Sequence, residues 1–476
     1  MSLTDCPLDV LLELAKELDL PDVLNLAATC TLCATVLSSP YFWMGSLQRI
    51  EQVHNRPIPC TPDTDIVGLP LETLREMAVH AYKLVNNWNS DSPRVVSFRS
   101  IALDGCGVIG SIYPIYGEHL FITISEERVA CWDATTGKCF AVHERDLDAM
   151  APWIIPNSGD PFCLARKCYI GLVHFSHSQL KLATLCVNYE DTSAIHISVI
   201  FSGTWACPDI IAGSEFESVV NDHTIGVIVR FCTPGLGPML LFCRIADGKL
   251  RRRPLNLSIS SRDYLTTCGL AIDDNFLIGA HSLYMTAQVA HLWPEPSSND
   301  RQDSLVRPYS AEERCGSFGG HHLRPPTYGV LNVIRLELDH DTVFFDPNAD
   351  VAAGPQQRQG IRREETSFYV EFWPAEYSES TSICSYEHSE CLQWIAVGAS
   401  GRFVVMGDTR SLGLLEYVPQ TVDGNDGRVD FRPLSVAPEV LEASINSGGA
   451  LDDRLGILYL VDGEVREPRV IVASFV

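Results

Sequence analysis

The hydrophobic pattern of this chain changes period once. Between residues 4 and about 88, apolar positions recur every three to four residues, which is the spacing of amphipathic helices. In "CPLDVLLELAKEL" (6–18), Pro7 suits a first helical turn, where its missing N–H does no harm. Leu8, Leu11, Leu12, Ala15 and Leu18 follow one face, while Val10 and Leu14 widen the apolar arc beyond what a single core contact needs. Asp19 breaks the pattern, Pro21 starts a second helix through Ala28, and a third runs from Thr31 to Leu37 before Pro40 stops it. The stretch "LETLREMAVHAYKLVNNW" (71–88) puts Leu74, Met77, Ala78, Ala81, Leu84, Val85 and Trp88 on one side. That is too apolar for an exposed linker, so a helix here is expected to bridge the first helices and whatever follows.

From about Ser92 the period becomes two. Short β-rich runs such as "HLFITIS", "RVACWDA", "KLATLCVNY", "IHISVIF", "GVIVRFC", "NFLIGA", "TVFFD", "FYVEFW", "RFVVMGD", "LGILYLV" and "RVIVASF" alternate with turn residues. Almost 400 residues of this pattern exceed one sandwich but suit a β-propeller at about 40–45 residues per blade. The expected fold is therefore a small all-α N-terminal region followed by a large all-β domain, a propeller of about seven blades. The segment "IYPIYGEHLFITISEERVACWDATTGKCF" reads as one blade, its third strand ending in Trp132-Asp133, and it resembles a WD repeat. "LLFCRIADGKL" echoes its second half, Gly248-Lys249 matching Gly137-Lys138 two to three blade periods on. The final strand, near 470–476, is expected to complete a blade begun near the start of the β region, which protects sheet edges. Residues 294–326 and 346–365, rich in Pro, Gly, Ser and charge, read as loops.

Charge narrows the partners. Of 476 residues, 60 are acidic and 35 basic, a formal net charge of −25. Phosphate backbones and anionic lipid surfaces repel such a surface, so neither nucleic acid nor membrane is expected as a partner. No run of about 20 apolar residues spans a bilayer, and no basic n-region with an h-region opens the chain. Seventeen scattered cysteines, an odd number, point to free thiols in a reducing compartment, cytoplasmic or nuclear.

Motifs that carry chemistry are few. "GCGVIG" (105–110) matches G-x-G-x-x-G but lacks the helix that would meet a phosphate, so it reads as a blade-edge turn. "CTLC" (30–33) has no second pair to complete a zinc site, and buried apolar thiols are the simpler reading. "HERDL" has Leu147 where a zinc-protease motif needs its second His. "HFSH" (174–177) places its histidines on opposite faces of a strand. His321-His322 reads as a loop and "RRR" (251–253) as a solvated turn. No catalytic constellation, metal site or cofactor is expected.

Three short helices in about 40 residues bury too little surface to stand alone. Their pattern resembles an F-box, joined to a C-terminal propeller as in fungal proteins of that family. The resemblance rests on Pro7, Asp9, Val10, Leu11, Leu14, Leu18, Asp22, Leu24, Cys30 and Trp43. Cys6 replaces the usual Leu before Pro7, Cys33 stands where many F-boxes have Trp, and Thr31 and Leu32 replace basic residues. The resemblance implies an F-box at 1–45, a helical linker at 46–91 and a target-binding propeller at 92–476. It implies a non-catalytic substrate receptor of an SCF-type ubiquitin ligase. Pro7, Leu8, Val10, Leu11, Leu14, Leu18, Leu24 and Cys30 would contact a Skp-type adaptor, and through it a cullin. The target protein would sit on a rim of the propeller or over its channel. A propeller scaffold with a structural helical cap, or a propeller enzyme with a central site, are the alternatives.

Overall fold

The computed structural model describes residues 6–144, 162–254 and 393–476 apart from breaks at connections, and between 266 and 388 the strands alone. The chain begins with α1 (Leu8–Lys16), α2 (Leu20–Ala27), α3 (Thr31–Ala34) with a 3-10 turn after it, α4 (Pro40–Gln52) and α5 (Leu71–Trp88). Leu11 and Ala15 of α1, Leu20 and Val23 of α2, and Phe42, Trp43, Leu47 and Ile50 of α4 share one core with Leu74, Met77, Ala78, Ala81 and Val85 of α5. Residue 45 lies inside α4, and the helices on either side of it pack together. The Trp43 indole is fully buried, and its Nε1 donates to the Leu37 carbonyl at 2.8 Å, so its polar edge is satisfied. Pro40, expected only as a stop, opens α4, because a fixed φ and a missing N–H suit a first helical position.

After α5 comes β1 (Ser97–Ala102), and the strands then fill antiparallel sheets four at a time. The first sheet has β2 (Ile109–Ile115), β3 (Leu120–Ser125), β4 (Arg128–Asp133) and β5 (Cys139–Glu144). The second has β6 (Phe162–Leu164), β7 (Lys167–Ser176), β8 (Gln179–Asn188) and β9 (His196–Ala206). The third has β10 (Glu215–Val220), β11 (Thr224–Arg230), β12 (Met239–Arg244) and β13 (Leu250–Pro254). β14 (Thr266–Ile272), β15 (Asn275–His281), β16 (Tyr284–His291) and β17 (Ser304–Pro308) form the fourth. β18 (Arg314–Leu323), β19 (Gly329–Glu337), β20 (Thr366–Pro374) and β21 (Thr381–His388) form the fifth. β22 (Gln393–Val397), β23 (Phe403–Gly407), β24 (Leu412–Val418) and β25 (Arg428–Leu434) form the sixth. A short helix, α6 (Pro438–Asn446), leads to β26 (Gly449–Asp452), β27 (Ile457–Asp462) and β28 (Arg469–Ser474). β1 completes this last sheet, with Ser97 opposite Ser474 and Ala102 opposite Arg469.

The described residues thus hold seven four-stranded sheets, the last made from both ends of the β region. The arrangement is propeller-like. Sheet packs on sheet: β5 on β9, β7 on β10, β10 on β14, β14 on β18, β21 on β25, β22 on β26 and β26 on β2. β3 and β23 are buried at every position, which explains why their sequences read as continuous apolar runs. The segment read as one blade is the first sheet. Its echo lies two sheets on, and Gly137 and Gly248 occupy the same hairpin position at φ 75° and 64°, where a side chain would be strained.

One expectation about the sheets changes. The stretch 294–326 contains β17 and the whole of β18 and is not one loop. Its Gly, Ser and His content hides strands whose pairing supplies the order that composition does not. The "TVFFD" run, and the expected loop at 346–365, lie outside the described residues.

Candidate functional site

Burial on the first two helices separates two apolar faces. Leu11 and Ala15 are buried at 0% and 2% exposure, and on α2 the residues Leu20, Val23 and Ala27 face the same core. Val10 and Leu14, four apart on the adjoining face, are 42% and 45% exposed, and Leu18, four further on, is 37% exposed. Leu8 and Leu24 are also exposed, as is Pro7, and Cys30 is half-buried. Of the expected adaptor-contacting residues, one is placed otherwise. Leu11 belongs to the core and cannot be part of an accessible patch. Ala15, four residues on, is buried with it and the adjacent Leu12 is half-buried, so the inward stripe runs through it.

This face sits on a rigid mount. Trp88, the last residue of α5, is fully buried against Phe403 of β23 and Phe475 at the chain's end. Nearby Arg56 is buried. Its Nη1 lies 3.0 Å from Glu416 Oε1, and its Nη2 donates to Glu416 Oε2 at 3.0 Å and to Asn89 Oδ1 at 2.6 Å. Arg432 Nη1 donates to the same Glu416 Oε2 at 2.8 Å and to the Trp88 carbonyl at 2.8 Å. Burial holds the Arg56 guanidinium below its ordinary range, and Glu416 opposes that shift.

Three further ties cross from helices to sheets. Asn87 Nδ2 donates to the carbonyls of Arg94 and Phe475, both at 2.7 Å. His80 Nε2 meets the Leu455 carbonyl at 3.0 Å. Arg454 Nη1 donates to the carbonyls of Ile58 and Cys60. The turn that carries Arg454 is built by Asp452, whose Oδ1 accepts from the N–H groups of Arg454 and Leu455 and whose Oδ2 accepts from Gly117 N at 2.9 Å. Burial pushes the Asp452 carboxyl up to about 7, outweighing the three N–H donors that favour its charged form.

These tying residues escape linear reading. Arg56 and Glu416 lie 360 positions apart, so only the tertiary fold brings them together. The one local signal is the position of Arg56 between residues that end α4 and the Pro-rich "RPIP" run that begins there.

The remaining motifs fall outside any site. "GCGVIG" is a turn, Gly105 and Gly107 both at positive φ, leading into β2. "RRR" lies on β13 and not in a turn, and His321 and His322 lie on β18 and not in a loop. His174 lies on β7, while His177 and the last three residues of "HERDL" are outside the described residues. Among the described residues no group of three or more His, Cys, Asp or Glu could hold a metal ion. Among the described residues no helix is long and apolar enough to cross a membrane.

No family model and no curated protein matches the chain. Among solved structures it is similar to the WD40 domain of SCAP from fission yeast, at 11% identity over 75% of this chain and 82% of that one, TM-score 0.35. It is similar to the Nup133 β-propeller domain of Vanderwaltozyma polyspora, at 9% identity over 80% and 99%, TM-score 0.38. It is also similar to an oligogalacturonate lyase from Vibrio parahaemolyticus, at 10% identity over 79% and 96%, TM-score 0.38.

Proposed function

We propose that this chain is the substrate-recognition adaptor of an SCF-type ubiquitin ligase, in which the first helices dock on a Skp-type adaptor and the sheets, closed as one seven-bladed propeller, hold a target protein. The observation that carries the reading is the second apolar face. The helical segment already has a complete core, so Val10, Leu14, Leu18 and Leu24 are not needed to fold it. Contiguous exposed aliphatic surface on a soluble chain is a partner surface more often than an accident. Its position on α1 and α2 is where the F-box resemblance puts adaptor contacts. The fixed junction at Trp88 and Arg56 supports the same division of labour, because a ligase adaptor must hold its target at a set distance from the transfer site.

The test is co-purification of the full chain with a Skp-type protein. Val10→Asp with Leu14→Asp is expected to abolish the complex while leaving thermal unfolding unchanged, since each charge would be desolvated at the contact at a cost of several kcal/mol. Undiminished binding by that folded double variant would refute the assigned face.

A further inference from the structure

The turn after α2 holds two thiols against each other. Cys30 precedes α3, and its Sγ accepts a hydrogen bond from the Cys33 N–H at 3.4 Å. A cap residue and the residue three positions on turn their side chains toward each other, as in a capping box. Residues three apart in a helical turn hold their Cβ atoms about 5–6 Å apart, and a disulfide needs about 3.5–4.5 Å. Closing a bond between these two therefore asks for the Cβ atoms to approach by about 1–2 Å through a small backbone shift, with χ rotation bringing the sulfurs together. Both are free thiols, Cys30 half-buried and Cys33 buried.

We propose that Cys30 and Cys33 form a reversible dithiol–disulfide site that reacts with small-molecule disulfides. Two observations divide the roles. Cys30 is the more accessible sulfur, and Cys33 is buried behind the solvent-facing surface. The Cys33 N–H and thiol hold the Cys30 pKa below the ordinary thiol range, while the hydrogen bond to Cys30 and burial push Cys33 up. Burial pushes Cys106, Cys139 and Cys186 up as well, Cys131 up to about 12 and Cys243 up to about 11, which makes them poor nucleophiles.

The chemistry balances as two exchanges. The Cys30 thiolate attacks one sulfur of a disulfide such as glutathione disulfide. That S–S bond breaks, one glutathione thiolate leaves and takes up a proton, and Cys30 carries the mixed disulfide. Cys33 then gives up its proton and attacks Cys30 Sγ, which forms the Cys30–Cys33 bond and releases the second glutathione as a thiol. Two protein thiols are oxidised and one small disulfide is reduced to two thiols. Cys30 is also one of the expected adaptor contacts, but the exchange is tested on the free chain and does not depend on the docking reading.

The full chain is tested in glutathione buffers of increasing disulfide content, with free thiols alkylated before tryptic digestion. Cleavage after Lys16 and Arg49 gives peptide 17–49, in which Cys30 and Cys33 are the sole cysteines. This peptide is expected to lose two hydrogens and escape alkylation, to recover both thiols on reduction, and to do so with an unchanged circular dichroism spectrum. The Cys33→Ser variant is expected to stop at the mixed disulfide on Cys30, formed about tenfold or more faster than at Cys131 or Cys243. Full alkylation of peptide 17–49 while other cysteines oxidise would overturn the proposal. So would a Cys33 bond to Cys6, whose peptide separates cleanly, or oxidation that appears only as the spectrum of the folded chain is lost.

Discussion

The Trp88 ring lies 4.5 Å from the Phe403 ring, tilted by 48°, so the last residue of the helical segment is an integral part of the sixth sheet's core. Phe475 completes the contact from the last sheet side at 5.7 Å, edge-on. Trp88→Ala empties the centre of this junction and is expected to cost about 3–5 kcal/mol of stability. Trp88→Phe keeps an aromatic ring and removes an indole N–H that is buried without an acceptor. It is expected to cost under about 1.5 kcal/mol. Urea unfolding of the full chain reads both. Equal losses from the two variants would mean that ring packing is not what joins the segments.

Glu416 is shared by two arginines, and the sharing predicts an unequal pair of variants. Arg56→Met leaves Glu416 paired with Arg432, and the Met side chain still covers the Phe403 ring that the guanidinium now faces at 4.6 Å. Glu416→Gln leaves Arg56, buried, with Asn89 but without the carboxylate that pairs with it. Breaking a buried pair from the side that strands the charge costs about 3–5 kcal/mol, whereas replacing an ion by a well-packed apolar group can be near neutral. Glu416→Gln is therefore expected to lower the unfolding midpoint well below that of Arg56→Met. The reverse order would show that the arginine acts here by packing alone.

What could be read in the sequence follows from which forces are local. The seven inward residues from Leu74 to Trp88 are the seven that α5 buries, because helical periodicity records a core on one side directly. The pairing of the last strand with the first of the β region was also legible, since an unclosed edge is a cost the chain must avoid. Leu11 was not separable from Leu14. Both are leucines on one short helix, and only the packing of Trp43 and the α5 residues decides which of them faces inward. β18 was missed because its Gly and His residues carry no strand preference of their own. The Arg56–Glu416 and Asp452–Gly117 ties were invisible for a different reason: no local pattern links residues more than 300 positions apart.

Asp452 gives the fold a pH dependence of definite sign. Its carboxyl titrates near 3.8 in an unfolded chain and is pushed up to about 7 by burial in the folded one. Between those values the folded state binds the additional proton, so this group's contribution to stability is full below about pH 4 and is lost as pH rises toward about 7. Above that range it adds no further slope. The loss is of the order of a few kcal/mol. Asp452→Asn is expected to be less stable than the parent at pH 5, because one amide N–H must face a backbone donor that the carboxylate accepted. The gap is expected to narrow at pH 8, where the parent carries a buried charge and the variant does not. Unfolding midpoints taken across this range check it, and identical pH slopes for the two chains would remove Asp452 as the source.

Leu11 and Leu14 offer the sharpest division between folding and docking, being three residues apart on one helix with opposite environments. Leu11→Asp places a carboxylate among Trp43, Leu47 and Leu74, with no partner to satisfy it. It is expected to lower the unfolding temperature strongly and to lose partner binding only as a consequence of losing the helical core. Leu14→Asp, at a position 45% exposed, is expected to leave unfolding within about 0.5 kcal/mol of the parent. If the exposed face docks a partner, Leu14→Asp still weakens that complex at least tenfold, because the new charge must shed water at the contact. Leu14→Ala separates shape from charge and is expected to weaken binding less. Calorimetry for stability and surface-immobilised binding for affinity, run on the same preparations, distinguish the outcomes. A folded Leu14→Asp chain that binds as well as the parent would assign the exposed stripe no part in docking, and a Leu11→Asp chain with unchanged unfolding would contradict its place in the core.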